Sequence, residues 1–338
     1  MTTPDLVSII VPSYGHERYI VDCLQSLYAQ SHERIELIVI DDCSLDQTFE
    51  LAQALLATPF AKRFENVVLR RKSKNAGAHD SLNIGLALAS GDYIAIVNSD
   101  DLFKPQRIER MLAALKERGS EFAFSIVETL DEGPDEIGSE EERRAGSLVP
   151  ENLLLLGLRQ HLAIAREVTV GFALLRENVG ISTGNFLFSK EIAKKIGYFL
   201  PLKYCHDWDF ILQALVHTEP VAVLEPLYEY RLHQQNSFRS YQHLAEVETE
   251  VVLRRFFRSI LTTAPGNFLC PSPQHWHDYF EAFVRQAGYW SYWAKEAGAS
   301  LPSWRTYEQV LKIDKWSTAP QVNDARSVEA ALRAIANC

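Results

Sequence analysis

The sequence lacks long apolar runs, and it has few cysteines. No run approaches the ~20 apolar residues that a membrane-spanning helix needs, and residues 1–5 form neither a basic nor an apolar signal region. We therefore expect no transmembrane segment and a location in the cytoplasm, with contact at the inner face of the membrane as an open alternative. The five cysteines are an odd number at wide spacings, which fits neither a disulfide framework nor a zinc site.

Basic residues are too few for a protein that binds nucleic acid. The chain has 34 Lys and Arg against 44 Asp and Glu, a net charge of −10, whereas nucleic-acid-binding domains carry a basic footprint. A small anionic ligand remains open where basic side chains are concentrated locally. The glycine-rich fingerprint of dinucleotide-binding folds and the phosphate loop ending in Gly-Lys-Ser or Gly-Lys-Thr are both absent. Their absence argues against dinucleotide-dependent oxidoreductases and P-loop enzymes.

Hydrophobic residues make up 47% of the 338 residues, enough for one large or two ordinary domains. Short apolar runs alternate with helical patterns over about the first 120 residues, which predicts an α/β fold with a doubly wound, mostly parallel sheet. The predicted strands are residues 6–11, 35–40, 66–69, 93–97 and 122–127. The carboxyl ends of parallel strands meet at one edge, so we expect the polar loops 12–17, 41–44 and 98–101 to converge on one crevice.

Two adjacent carboxylates, Asp100 and Asp101, follow the predicted strand 93–97. Carboxylate oxygens suit Mg²⁺ or Mn²⁺, and Mg²⁺ is held by one or two carboxylates together with substrate phosphates. The place of the pair at the carboxyl end of a strand therefore predicts a metal and diphosphate site. The alternative is that the pair caps the next helix, whose first turn would hold Pro105. Earlier in the chain, Ser44 and Gln47 have the spacing of a capping box for a helix through about Leu56.

The second half of the chain has three further motifs, at residues 180–185, 205–210 and 228–233. The first leads into a strand-like run, the second opens an apolar helix, and the third ends the α/β part. Residues 128–144 are crowded with acidic residues, and we interpret them as a solvated loop rather than a lid. From about Tyr241 the chain has only helical patterns. We interpret the aromatic residues at 289, 290, 292 and 293 as helix core rather than as a sugar- or partner-binding surface.

Taken together, these motifs resemble the family 2 glycosyltransferases, which are inverting enzymes of the GT-A fold. The resemblance covers residues 6–236 and depends on motifs that occur in the family's order. They are Val-Pro-Ser-Tyr at 11–14 with Glu17, Ile-Asp-Asp-Cys-Ser at 40–44, Asn75 with Gly77, Asn83 and Gly85, Asn98-Ser-Asp-Asp at 98–101, His-Asp-Trp-Asp at 206–209, and Arg231 with His233. The resemblance implies a catalytic domain over 1–238 and a helical C-terminal region over 239–338. Within the former, the nucleotide-sugar half is about 1–120 and the acceptor half about 121–238.

The resemblance also implies a role for each matching residue. Asp207 is the expected general base, and the expected ligands of Mn²⁺ or Mg²⁺ are Asp100, Asp101 and His233. Asp42 is expected to read the nucleotide base. The expected donor-binding residues are Pro12, Ser13, Tyr14, Glu17, Asp42, Lys74, Asn75, Gly77, His79, Asp100 and Arg231. The expected acceptor-binding residues are Gly184, Asn185, His206 and Trp208.

The implied activity is the metal-assisted transfer of a sugar from a nucleoside-diphosphate sugar, with a UDP-sugar as the first expectation. The acceptor would be a hydroxyl of a saccharide, a glycoconjugate or a lipid-linked saccharide in polysaccharide biosynthesis. Two alternatives remain: a nucleotidyltransferase that makes a sugar nucleotide, and a catalytically silent saccharide- or partner-binding protein. The C-terminal region could dock an acceptor, a membrane face or a second subunit, so a homo-oligomer through its helices also remains open.

Three residues depart from the family pattern. Asn98 stands where many members carry Asp, so it is open which of Asp100 and Asp101 holds the metal and which holds the ribose. Leu82 stands where members often carry an Arg that faces the donor, so that Lys74 or His79 must supply this contact or it is absent. Cys43 replaces the usual Gly, which questions the geometry of that turn.

Overall fold

Strands and helices alternate from Val7 to Arg118 in the computed structural model, which describes residues 4–131, 155–233, 236 and 241–298. The strands are β1 (Val7–Ser13), β2 (Ile35–Asp41), β3 (Asn66–Arg71), β4 (Tyr93–Ile96) and β5 (Leu102–Phe103). The helices are α1 (Ile20–Tyr28), α2 (Thr48–Leu56), α3 (Ala78–Leu88) and α4 (Arg107–Arg118). The first four predicted strands are confirmed, with ends shifted by one or two residues.

In its described residues, the second half adds three strands and several helices. The strands are β6 (Phe122–Asp131), β7 (Phe186–Ser189) and β8 (Val221–Leu232). The helices before the tail are α5 (Leu156–Ala165), α6 (Val170–Arg176), α7 (Lys190–Ile196) and α8 (His206–Leu215). The tail contains α9 (Ala245–Thr262), α10 (Pro273–Gln286) and α11 (Trp290–Ala297). The predicted strand at 122–127 is confirmed and extends to Asp131, whereas most of the acidic stretch 128–144 lies outside the described residues.

The strands form one sheet in the order β3-β2-β1-β4-β7-β6-β8-β5. The half that runs from β3 to β4 is parallel throughout. The other half is mixed, because β7 is antiparallel to β4 and β6, while β6 and β8 are parallel. The predicted α/β class is confirmed, and its parallel part is the half that the strand and helix alternation indicated.

The strands of the parallel half are buried on both faces. In β1 the side chains alternate, so that Ile9 and Val11 pack with Leu24 of α1 and Met111 of α4, while Ile10 packs in the opposite core. A strand that is covered on both sides has no polar face, which is why β1, β2 and β4 appear as continuous apolar runs in the sequence.

The helical tail packs on the core that contains Ile10. Phe256, Phe280, Trp276 and Trp293 are buried there, and Tyr289, Trp290 and Tyr292 pack against the same cluster. The interpretation of these aromatics as helix core is confirmed; Trp304 and Trp316 lie outside the described residues. None of the helices in the described ranges combines the length and the apolar character that a bilayer crossing needs.

The predicted capping box before α2 is wrong. Helix α2 begins at Thr48, and the Ser44 hydroxyl donates to Asp41 Oδ1 over 2.5 Å instead of capping the helix. Ser44 also accepts a bond from Gly15 N, 3.1 Å away. Ser44 therefore ties two loops together at the edge of the sheet.

Candidate active site

Three loops meet at the carboxyl ends of β1, β2 and β4. The N–H of Gly15 donates to Ser44 Oγ over 3.1 Å, and the N–H of His16 donates to Thr48 Oγ1 over 2.8 Å. The ring of His16 also contacts the third loop, with 2.7 Å between Nδ1 and Ser99 Oγ. The predicted convergence of the loops 12–17, 41–44 and 98–101 is confirmed, because β1 lies between β2 and β4 and all three strands point the same way.

His16, Asp100 and His233 form one cluster at this edge, and we call it the His-Asp-His group. Asp100 Oδ2 lies 3.0 Å from His233 Nε2 and 3.7 Å from His16 Nε2, and one ligand atom from each residue lies within 4.8 Å of the others. Burial raises the pKa of Asp100, but the neighbouring His16 and His233 outweigh it, and the pKa stays below its ordinary value.

The donor set of the His-Asp-His group fits a divalent cation. A carboxylate oxygen and two imidazole nitrogens suit first-row ions such as Mn²⁺ better than Mg²⁺, which prefers oxygen ligands only. Ser99 engages Nδ1 of His16, and a partner of this kind fixes the ring so that Nε2 faces the site. His16 was not among the predicted ligands. Its one signal in the sequence was its place in the polar loop 12–17.

Asp101 lies outside the His-Asp-His group. Its Oδ2 accepts bonds from the Tyr228 hydroxyl (2.5 Å) and Asn98 Nδ2 (3.0 Å), and its Oδ1 accepts one from Arg231 N (2.8 Å). The residue is 1% exposed, and burial together with the charge of Asp100 raises its pKa well above the ordinary value. Both oxygens of Asp101 thus join the turn to β8 in this structure, and its expected role as a metal ligand stays a prediction.

Arg231 also stabilises the turn that contains Asp100 and Asp101. Its Nε donates to the carbonyl of Asp100 over 2.8 Å, and its guanidinium lies over the ring of Tyr19. Tyr19 in turn packs against the ring of His233, with 4.9 Å between centroids. Arg231 is 5% exposed. Arg231 thus helps to hold Asp100 and Tyr19 in place, and its expected contact with the donor stays a prediction.

Asp42, the expected reader of the base, anchors a turn in this structure. Its two oxygens accept bonds from Ala76 N (2.9 Å) and Gly77 N (2.7 Å), and Lys72 Nζ lies 2.7 Å from Oδ1. Gly77 has φ +94°, a conformation that side chains other than glycine rarely adopt. The buried cation beside Asp42 is Lys72, which sequence reasoning missed in favour of the exposed Lys74.

The other expected donor residues surround the same crevice. Glu17 accepts a bond from Gln47 N over 2.9 Å and so helps to hold the first two loops together. Tyr14 is 44% exposed, and the remaining residues differ in burial. Ser13 is buried, Pro12 and His79 are half-buried, and Lys74 and Asn75 are exposed.

Residues 178–185 connect this crevice to helix α8. Ser182 Oγ accepts a bond from Asn98 Nδ2 (2.9 Å), and the next residue, Thr183, contacts His206 Nε2 through its hydroxyl (3.1 Å). Two adjacent residues of one turn therefore contact both the metal motif and the first residue of α8. The expected acceptor side and the expected donor side thus share one turn.

Three of the four expected acceptor residues are buried in this structure, and their expected role stays a prediction. Asn185 is fully buried and uses its side chain to hold Ser125 and Arg107. Trp208 is 6% exposed, and its indole N–H donates to the carbonyl of Leu174. Gly184 is needed for close approach, since a Cβ there would lie 2.0 Å from the Tyr228 hydroxyl. Of the four, only His206 keeps a half-buried ring beside Asp207.

Asp207 lies in the first turn of α8 and is 8% exposed. Asn178 Nδ2 donates to Oδ2 over 2.9 Å, and Trp208 N donates to Oδ1 over 2.7 Å. Burial raises the pKa of Asp207 to about 7 despite these hydrogen bonds. A carboxylate poised near neutral pH has the properties of a general base. Burial lowers the pKa of the adjacent His206 to about 4, which keeps its ring neutral.

Tyr230 is half-buried on β8. Burial raises its pKa well above the ordinary value, and the charges of Asp101, Asp100 and Asp207 raise it further. The charges of both the metal motif and the candidate base therefore act on the Tyr230 hydroxyl.

Comparison with known proteins identifies the family of this chain. The model of glycosyl transferase family 2 matches residues 8–197. TuaG from Bacillus subtilis, a glycosyltransferase named for teichuronic acid biosynthesis, is 37% identical over 120 residues, which cover 36% of this chain and 46% of TuaG. The chain thus spans less than half the length of that relative.

Two solved structures share the fold. S. aureus TarS 1–349 in complex with UDP-GlcNAc is 18% identical, with a TM-score of 0.53 over 87% of this chain and 80% of that one. The mannosyltransferase PcManGT from Pyrobaculum calidifontis, in complex with GDP-Man and Mn²⁺, is 15% identical, with a TM-score of 0.54 over 88% of this chain and 77% of that one. With the family model matching more than half of its length, the chain belongs to glycosyl transferase family 2 and has an α/β GT-A fold.

Proposed function

We propose that this glycosyltransferase moves a sugar from a nucleoside-diphosphate sugar, with UDP as the first candidate, to a hydroxyl of a saccharide or glycoconjugate, and that it inverts the anomeric centre. UDP-GlcNAc and GDP-Man are present in the complexes of TarS and PcManGT, which have the same fold. The first half of the catalytic domain would hold the donor, and the second half, which carries Asp207, would hold the acceptor.

The His-Asp-His group would hold a divalent ion through Asp100, His233 and His16. When bound, such an ion offsets the negative charge that develops on the departing diphosphate. The two imidazole nitrogens favour Mn²⁺ over Mg²⁺. Asp101 keeps the turn in place through its bonds to Tyr228 and to the backbone of Arg231.

Asp207 would take the proton of the acceptor hydroxyl. The bond between the acceptor oxygen and the anomeric carbon forms as the bond from that carbon to the diphosphate oxygen breaks, and the electron pair leaves with the diphosphate. Because Asp207 acts as a base and not as a nucleophile, a single displacement results, and it inverts the anomeric centre. General base catalysis of this kind is worth about 10²- to 10⁴-fold in rate.

The observation that most supports this proposal is the turn at Ser182 and Thr183. It contacts the metal motif through Asn98 and helix α8 through His206, at distances of 2.9 and 3.1 Å. A rigid turn with both contacts holds the leaving-group side and the base side of one cleft at a fixed separation. Positioning of reacting groups by such fixed elements supplies a large part of enzymatic rate enhancement.

Thermal unfolding with a panel of nucleoside diphosphates tests the donor site. UDP, GDP and dTDP are each added with and without Mn²⁺ to the wild type, to Asp100→Ala and to a control, Asp278→Ala, which changes an exposed carboxylate on α10. A ligand that binds only the native state stabilises it by about 2.7 kcal/mol at a hundredfold excess over its dissociation constant. We expect one diphosphate to raise the melting temperature only with Mn²⁺, in the wild type and the control but not in Asp100→Ala.

A folded wild type that responds to none of the diphosphates would contradict the proposal and favour the catalytically silent binding protein. If one diphosphate binds, release of that diphosphate from its sugar nucleotide is measured next. A protein that binds but releases none, with or without a saccharide panel, would also be a binding protein.

A further inference from the structure

Helix α9 of the C-terminal region contacts the chain just before helix α8. The carboxylate of Glu248 accepts three backbone hydrogen bonds there, from Lys203 N (2.9 Å), Tyr204 N (2.8 Å) and Cys205 N (2.9 Å). Cys205 immediately precedes the first residue of α8, and Glu248 is itself only 8% exposed. One buried carboxylate therefore fixes the three N–H groups that lead into the helix of Asp207.

Two further polar contacts join the same pair of helices. Arg255 of α9 forms an ion pair with Asp209, which is fully buried, and Ser259 Oγ donates to Gln213 Oε1 over 2.8 Å. Glu248, Arg255 and Ser259 are spaced by seven and four residues, so they lie on one face of α9. This face follows α8 from the residues before its start to near its end.

We propose that Glu248 is a positioning residue for the reaction, and that the C-terminal region thereby sets the place of Asp207. This inference depends on the proposed function, in which Asp207 is the general base. Asp207 lies two residues after Cys205, so a shift of the loop 203–205 would move its carboxylate relative to the acceptor hydroxyl. Displacements of about 1 Å in an active site cost on the order of 10²-fold in rate.

The negative charge of Glu248 also acts on Asp207. Burial raises the pKa of Asp207 most, and the negative charge of Glu248 adds to the increase. Other titratable groups near Asp207 include Tyr204, Cys205, His206 and Tyr230. All four are neutral near pH 7, because burial raises the pKa of the tyrosines and the thiol and lowers that of the histidine. Asp209 and Arg255 also lie near this loop, and they form an ion pair with each other.

The test compares Glu248→Gln, Glu248→Asp and a matched control, Glu250→Gln. Glu250 lies on the same helix, but its partners are Arg254 and Lys295, away from the loop before α8. Each protein is assayed for Mn²⁺-dependent stabilisation by UDP, and for UDP release from UDP-GlcNAc as a function of pH. If thermal unfolding shows that the protein binds GDP instead of UDP, GDP replaces UDP and GDP-Man replaces UDP-GlcNAc in both assays. Asp207→Asn is included to separate the claim that Asp207 is the general base from the claim that Glu248 positions it.

We expect Glu248→Gln to bind UDP and Mn²⁺ like the wild type but to lower kcat by about 10- to 100-fold, with a smaller change in KM for the donor. Without the charge of Glu248, the acidic limb of the pH profile should move to lower pH. Glu248→Asp, which keeps the charge, should keep the wild-type position of that limb, and Glu250→Gln should match the wild type throughout.

A folded Glu248→Gln with the wild-type kcat and pH profile would overturn the inference. If Glu248→Gln does not fold, the kcat of Glu248→Asp tests the inference. A wild-type kcat for this shorter side chain would equally overturn the positioning role of Glu248. Wild-type activity in Asp207→Asn would instead refute the proposed base, and with it the role of Glu248. Loss of activity in Asp207→Asn alone leaves the proposed function intact and rejects only the positioning by Glu248.

Discussion

Exchanging Asp100 and Asp101 for asparagine one at a time should separate binding of the metal from stability of the fold. In Asp101→Asn, one carboxylate oxygen becomes an amide nitrogen that faces a donor, either the N–H of Arg231 or the amide of Asn98. A buried donor left without its acceptor costs about 1–3 kcal/mol. In Asp100→Asn, by contrast, an amide oxygen can replace Oδ2, the atom that contacts His233.

We therefore expect Asp101→Asn to lower the melting temperature by several degrees, at ~2–4 °C per kcal/mol for sizeable domains, with a modest loss of Mn²⁺ affinity. Asp100→Asn should reduce Mn²⁺ affinity by at least about tenfold with a smaller change in melting temperature. Calorimetric titration with Mn²⁺ and thermal unfolding of both variants measure the two effects. The reverse pattern, with Mn²⁺ binding lost in Asp101→Asn and intact in Asp100→Asn, would refute the assignment of Asp100 as the ligand.

Three further predictions concern single residues. Gly184→Ala places a Cβ 2.0 Å from the Tyr228 hydroxyl, so thermal unfolding should show a lower melting temperature, and an unchanged one would mean that the turn can move freely. His16→Ala should weaken Mn²⁺ binding by at least about tenfold in a titration and reduce nitrogen couplings in the Mn²⁺ paramagnetic resonance spectrum; an unchanged spectrum would exclude His16 as a ligand. Because Asp207 must be deprotonated to act and burial raises its pKa to about 7, kcat/KM should fall as the pH drops below neutrality, and a profile flat through neutral pH would argue against this base.

The predictable part of the structure is the part that local pattern and topology determine. Continuous apolar runs separated by helical stripes specify β1 to β4, and parallel neighbours necessarily bring their loops to one edge. The place of the crevice and of Asp100 at its edge could therefore be predicted, whereas Asp207 was expected from the family resemblance alone. The packing of the tail aromatics was also predicted, because a cluster of large rings in a helical segment is more often core than a binding surface.

What the sequence could not decide depends on contacts between distant segments. Asp100 and Asp101 are chemically equal neighbours. Their surroundings differ because the hydroxyl of Tyr228, 127 residues after Asp101, donates a hydrogen bond to Asp101. Asn185 and Trp208 lie in motifs that suggest a ligand site, but β6 and α6 cover them. Glu248 has no motif at all, since its partners are backbone N–H groups that any residue could supply.

The most direct test of the account is Asp207→Asn, which keeps the shape of the side chain and removes its basicity. The account predicts that this variant retains the Mn²⁺-dependent stabilisation by the nucleoside diphosphate that the wild type binds. It also predicts that release of that diphosphate from the corresponding sugar nucleotide falls by at least about 10²-fold. Turnover at the wild-type rate in a folded Asp207→Asn protein would contradict the account, because the proton of the acceptor would then have to leave by another group.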